Sequence, residues 1–317
     1  MPGSARSDGV ARPIAIIGAP SSIGIKPYTD GGQRWLDLAP GVLRELGVVA
    51  AVGAEDRGDV VPPPYVDFDR RPGRVRNEAG VAAYSLVLAD AVRAALDEGR
   101  FPLVLGGDCS IVLGALLGAK RHGADAGPVG LAYVDAHSDF ATPEESLTGS
   151  AASMCLALAV GRGDSPLARL ADAPLVRAGD VAVVGRRDAT EPAGPRALAA
   201  AGILDLADDA RVRTSPAAVA ATVLECVARS DLTGFWIHVD ADVLDPDVVP
   251  AVDSPEPGGP DTEQLAALLE PLVAHPRALG MQLTIYDPRL DPDRACGARL
   301  VALLERALAP RTVETAR

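Results

Sequence analysis

The chain has 317 residues, 48% of them hydrophobic, which is enough to bury a substantial core and too apolar for a disordered segment. Its formal net charge of −13 repels nucleic acid and anionic membrane, and no basic cluster offsets it. The four cysteines, Cys109, Cys155, Cys226 and Cys296, are far apart and form no CxxC pair, which argues against a disulfide framework and fits a reducing, cytoplasmic setting.

Residues 1–12 are polar and read as a loose tail, ahead of one domain spanning 13–317. The apolar runs are strand-length, short of the ~18 residues that a spanning helix needs, and "IAIIGA" is too short for a signal-peptide core. The pattern predicts strands at 13–19, 101–107, 129–137, 180–187, 234–242 and 278–286. Between them it predicts helices at 35–47, 77–98, 111–122, 150–161, 194–201, 215–229, 261–274 and 293–308. Such alternation implies an α/β three-layer sandwich with a mainly parallel central sheet.

In open α/β sheets, ligands bind beyond the carboxyl ends of the strands. Three of those ends are rich in acids: "GGDCS" with Asp108 and Cys109, "VDAHSDF" with Asp135, His137 and Asp139, and "VDADVLDP" with Asp240, Asp242 and Asp245. If the strands stay extended, Asp135, His137 and Asp139 share one face, as do Asp240 and Asp242. Carboxylates crowded into a low-dielectric crevice need cations. Four aspartates, an imidazole and a thiolate suffice for two divalent ions that activate water. Carboxylate-rich ligation favours Mn²⁺ over Zn²⁺, and imidazole suits both.

A single DxD is usually a turn, and a single buried cysteine is usually packing. Three clusters on three strand ends weigh differently. Cys109 still has three readings: a small buried side chain, a nucleophile or a metal ligand. His238 precedes Asp240 by two residues and shares its face, as a partner to the site, a substitute proton carrier or a plain buried histidine. Glu144 and Glu145 follow the second motif on a loop, where they meet a cationic substrate or only water.

These motifs resemble the GGDHS, DAHxD and DxDxxDP signatures of the arginase/agmatinase (ureohydrolase) family. Segments 16–47, 183–188, 251–259 and 285–293 are also similar to that family, so the resemblance covers nearly the whole chain. It implies an arginase-like fold, two Mn²⁺ ions, hydrolysis of a guanidino group to urea and an amine by water activated between the ions, and a trimeric or hexameric homo-oligomer. Carried over by motif, Cys109, Asp135, Asp139 and Asp240 would hold the first ion. Asp135, His137, Asp240 and Asp242 would hold the second, with Asp108 and Asp245 orienting the site. Cys109 stands where the family has a histidine, and its thiolate shifts preference toward Zn²⁺ or Fe²⁺. Asp139 and His238 are the candidate catalytic groups.

The resemblance also exposes departures. The family's proton-shuttle histidine falls on Ala152, its carboxylate-binding Asn on Ala141, and a nearby Ser on Thr148. The acid that meets an α-amino group falls near Thr190, beside Glu191. The guanidinium-binding Glu falls on Ile285, with Gln282 or Tyr286 as conceivable replacements. Thr148, Gln282 and Glu144 are therefore the candidate substrate contacts. These losses imply a small-molecule substrate other than simple L-arginine: a modified guanidino compound, an N-hydroxyguanidine, or another amidine or amide. The alternative is a catalytically silent member that binds a ligand or partner, against which the retained acids argue. A deacetylase on the related scaffold would need a histidine pair that the chain lacks.

Overall fold

A computed structural model describes residues 12–309, except 30, 70, 123–126, 189–193 and 208–209. Eight strands form one sheet: β1 (Ile14–Ala19), β2 (Glu55–Asp59), β3 (Phe101–Gly106), β4 (Val129–Val134), β5 (Val181–Val184), β6 (Leu204–Leu206), β7 (Gly234–Asp240) and β8 (Ala278–Thr284). The order is β2-β1-β3-β8-β7-β4-β5-β6, and every pairing is parallel. The inner strands β3, β4, β7 and β8 are buried at every position, as expected of a sheet covered on both faces. Helices pack in two groups, Glu78–Asp97 with Ile111–His122, and Pro216–Val227 with Thr262–Ala274 and Ala295–Leu308, giving the three layers expected.

The two strands absent from the sequence reading are the two edges. "EDRGD" of β2 is exposed throughout and charged, which suits an edge, and β6 is only "LDL". Among the helices, 150–161 contracts to the turn Ala152–Met154 and the short helix Cys155–Ala159. Helix Glu78–Asp97 is long and apolar enough to cross a membrane by length and composition, contrary to the expectation that every apolar run is strand-length. It serves here as a core helix. Gly118 of the neighbouring helix would place a Cβ 2.6 Å from the Ala89 carbonyl, so only glycine permits this approach.

One consequence of the strand order positions the site. The motif-bearing strands β3, β7 and β4, with β8 between the first two, are consecutive in the sheet. Residues far apart in sequence therefore emerge side by side at the carboxyl end of the sheet's centre.

Candidate metal centre

Each motif begins where its strand stops. Beyond β3 the chain turns through Gly107, where any Cβ would lie 2.0 Å from the Ser21 carbonyl oxygen. Asp108 then binds this corner to the end of β1: its carboxylate accepts from Ser21 Oγ at 2.9 Å, Gly24 N at 3.0 Å and Ser110 N at 3.0 Å. That bracing points Cys109 inward, 3% exposed, with Sγ 2.7 Å from Asp240 Oδ2 and 3.7 Å from Thr284 Oγ1. β4 ends at Val134, so Asp135, His137 and Asp139 do not alternate on an extended strand as the sequence pattern predicted. They sit on a turn. Asp135 Oδ1 accepts from His137 N at 2.7 Å, and Asp139 has a left-handed backbone, φ 45°. β7 likewise ends at Asp240, whose Oδ1 accepts from Asp242 N at 2.8 Å and caps the turn Ala241–Val243.

These turns bring donor atoms into two groups. One atom each from Cys109, Asp135, His238 and Asp240 lies within 4.8 Å of the others, and so does one each from Asp135, His137 and Asp242. Asp135 belongs to both. His137 Nδ1 lies 2.9 Å from Asp242 Oδ2 and 3.5 Å from Asp135 Oδ1. Asp139, expected in the first group, stands beside it: its Oδ2 accepts from the Tyr133 hydroxyl at 2.5 Å and from Cys155 Sγ at 3.6 Å. Neither Tyr133 nor Cys155 was singled out from sequence, although Tyr133 lies two residues before Asp135. Asp245 turns outward and ties down the following loop through Asp247 N and Gly258 N.

The electrostatics fit divalent cations. Burial, reinforced by neighbouring acids, raises the pKa of Asp139 and Asp240 well above the carboxylate range, and it raises Asp242 as well. Burial, then Asp240, Asp139 and Asp135, pushes the Cys109 thiol well up. Asp135 Oδ2 is buried with no hydrogen-bond partner among the described residues. A buried, partnerless carboxylate oxygen among three other acids and a thiol is costly without a cation, and a bound cation reverses these shifts.

Cys109, His137, Asp240 and Asp242, with Asp139, form the floor of a cavity of about 270 Å³, while Asp135 and His238 lie outside its lining. Its wall includes Lys26, Thr148, Ala152, Ser153, Glu256 and Ile285. Asp188 also reaches it, held by Arg186 at 2.8 Å and by Ser138 N at 2.7 Å. Ile285 is a β-branched residue at φ 67°, an uncommon and strained backbone for that side chain. Two of the three candidate substrate contacts lie elsewhere. Gln282 is fully buried between Trp236 and His238, and Glu144 is exposed on its loop. Tyr286 is buried and donates to Asp291, and Ala141 is buried but outside the cavity lining. Thr190 and Glu191 lie outside the described residues.

The sequence profile described as the Arginase family matches residues 12–309, so this chain belongs to the arginase family of ureohydrolases. The arginase of Bacillus caldovelox is 29% identical over 307 residues, covering 92% of this chain and 97% of that protein. The arginase of Bacillus subtilis (strain 168) is 28% identical over 302 residues, covering 93% and 97%. The solved structure of Bacillus caldovelox arginase superposes with a TM-score of 0.84 at 28% identity, covering 95% of this chain and 99% of that one. Family, fold and paired donor groups together are those of a C–N hydrolase with a candidate dinuclear site.

Proposed function

We propose that this chain hydrolyses a non-peptide C–N bond in a guanidino, N-hydroxyguanidino or related amidine or amide compound, and that simple L-arginine is not its substrate. The observation that carries this reading is Asp135, one carboxylate shared by two donor groups whose other members Cys109, His137, Asp240 and Asp242 line a cavity. Cys109, Asp135, Asp139 and Asp240 would hold one ion, and Asp135, His137, Asp240 and Asp242 the other. Mn²⁺ is the leading candidate, and Cys109 pulls preference toward Zn²⁺ or Fe²⁺. When bound, such a pair supplies an activated water and polarises the substrate.

The rest is done by the chain's own residues. Asp139, fixed by Tyr133 and Cys155, lines the cavity and can orient the attacking water or take up its proton. Ala152 offers no proton, and a positioned acid or base is typically worth about 10²–10⁴-fold. A substrate with its own ionisable hydroxyl, as an N-hydroxyguanidine has, suffers less from that loss. Ile285 puts hydrocarbon where a guanidinium would need a carboxylate, while Thr148 and Ser153 offer hydroxyls. A trimeric or hexameric assembly and a cytoplasmic setting belong to the same proposal, and light scattering checks the first.

The test is a panel of guanidines, N-hydroxyguanidines, amidines and amides, assayed with protein reconstituted in Mn²⁺ and separately in Zn²⁺. Turnover of an N-hydroxyguanidine or amidine above L-arginine is expected. L-arginine as the best substrate would overturn the specificity reading. Metal uptake without turnover across the panel would leave a silent, ligand-binding family member.

A further inference from the structure

A column of polar side chains lies in the sheet beneath the donor groups. The strand register pairs Tyr133 of β4 with His238 of β7, and His238 with Gln282 of β8. Trp236, His238 and Asp240 alternate along β7 and so share one face. Trp236 pairs with Gly280, where any Cβ would lie 2.4 Å from Trp236 Cζ3, so the glycine leaves room for the indole. The indole Nε1–H donates to Gln282 Oε1 at 3.0 Å, and Gln282 Nε2 lies 2.9 Å from His238 Nδ1. Trp236, Gln282 and His238 are each 0% exposed.

The donor and acceptor roles then follow in sequence. An indole N–H only donates, so it must face the amide oxygen, whichever way an amide is drawn. That turns the amide NH₂ toward His238. Nδ1 is therefore the acceptor, and the ring carries its proton on Nε2. Among the described residues, His238 Nε2 has no hydrogen-bond partner and lies 3.6 Å from Asp135 Oδ2, which also has none. The ring of Tyr133 stacks on the imidazole at 4.3 Å and 15°, which holds its orientation.

We infer that the Trp236–Gln282–His238 chain presents a fixed N–H to Asp135, so that His238 is a positioning residue for the shared carboxylate and not a donor to an ion. The closeness of His238 to Cys109, Asp135 and Asp240 is then not ligation, because a protonated ring nitrogen has no lone pair to give a cation. The role on Asp135 rests on the metal-centre reading above. The place of the proton does not.

The experiment reads the tautomer. With only four histidines in the chain, protein carrying isotope-labelled histidine gives few ring-nitrogen signals, and His238→Gln identifies those of His238. Nε2 is expected to bear the proton in the metal-free protein and to keep it on Zn²⁺ loading. A proton on Nδ1, or an Nε2 that loses its proton and shifts as a metal-bound nitrogen, overturns the inference. Gln282→Glu accepts from both Trp236 and Nδ1, so it is expected to move the proton to Nδ1. Unchanged ring signals in that variant also overturn it. Trp236→Phe frees the amide to turn and is expected to give a mixture of tautomers.

Metal content separates the two readings. His238→Gln is expected to weaken binding by about 10–100-fold, the usual weight of a group that orients a ligand, yet still to take up at saturation as many ions as the unmodified protein. Loss of one ion per chain overturns the positioning role. Unmodified protein that takes up no Zn²⁺ but carries the Nε2 proton sinks the metal centre and leaves the tautomer standing.

Discussion

The floor and the wall of the cavity are built differently. The floor sits at the ends of adjacent strands, is almost wholly buried, and is braced by backbone N–H groups: His137 N on Asp135, Asp242 N on Asp240, and Ala136 N on Asp242 at 3.2 Å. The wall comes largely from loops, with exposed Lys26, the hydroxyls of Thr148 and Ser153, and the apolar Ala152 and Ile285. The sheet fixes what kind of chemistry is available. The loops set which molecule receives it.

The hardest break of that comparison is Asp135→Ala. One carboxylate serves both donor groups, so the bound metal is expected to fall from about two ions to nearly none, and turnover with it. Elemental analysis checks the first and the substrate panel the second. Retention of one tight ion would mean that the two groups are independent sites. Cys109→His is gentler and more informative. Replacing a soft thiolate with imidazole is expected to cut the preference for Zn²⁺ over Mn²⁺ by about tenfold or more, read as a ratio of dissociation constants. An unchanged ratio would make Cys109 a packing residue.

The floor also predicts a pH dependence. In the metal-free protein Asp139, Asp240 and Asp242 titrate above their usual range because of burial and then neighbouring acids. His137 is raised too, its burial outweighed by Asp242 and Asp135. Asp135 alone is lowered: burial opposes the shift, and His137 and His238 outweigh it. A raised folded pKa means that the folded chain binds more protons. The associated stability is present below the unfolded pKa and is lost as pH rises through the folded one. Metal-free protein is therefore expected to melt higher near about pH 5 than near about pH 8. With saturating Mn²⁺ the order should reverse, since protons and ions compete for the same oxygens. A metal-free Tm that climbs over that range would show that the floor acids are not in conflict.

Much of the floor was legible because acids at strand ends are a local signal, and strand ends are where α/β sheets bind ligands. Cys109, Asp135, His137, Asp240 and Asp242 could be named from three short motifs. What stayed hidden was the cross-strand geometry. The partnership of Trp236, Gln282 and His238 depends on register between β7 and β8, which no stretch of sequence displays. Gln282 therefore read as a substrate contact when it is a buried link. Tyr133 was hidden within an apolar strand, and the edge strands β2 and β6 because charge or brevity masks their alternation. Asp139 came out of line because Val134 ends the strand and a left-handed turn follows.

The wall predicts smaller effects. Ile285→Glu introduces a carboxylate and is expected to shift preference toward a plain guanidinium by about tenfold. Thr148→Ala and Glu144→Ala then mark where the wall ends. Thr148 lines the cavity, accepts from Ser150 N at 3.2 Å and lies 3.4 Å from Ser153 Oγ, so its hydroxyl borders the cavity and orders its neighbours. Removing one such hydrogen bond costs about 1 kcal/mol, a KM several-fold higher with kcat nearly kept. Glu144 is exposed and outside the lining, so its loss should change stability by less than about 0.5 kcal/mol and leave KM alone. If Glu144→Ala raised KM more than Thr148→Ala, its loop would be meeting a cationic substrate. The wall would then extend beyond the cavity, and a net positive charge on the substrate would again matter more than a hydroxyl of its own.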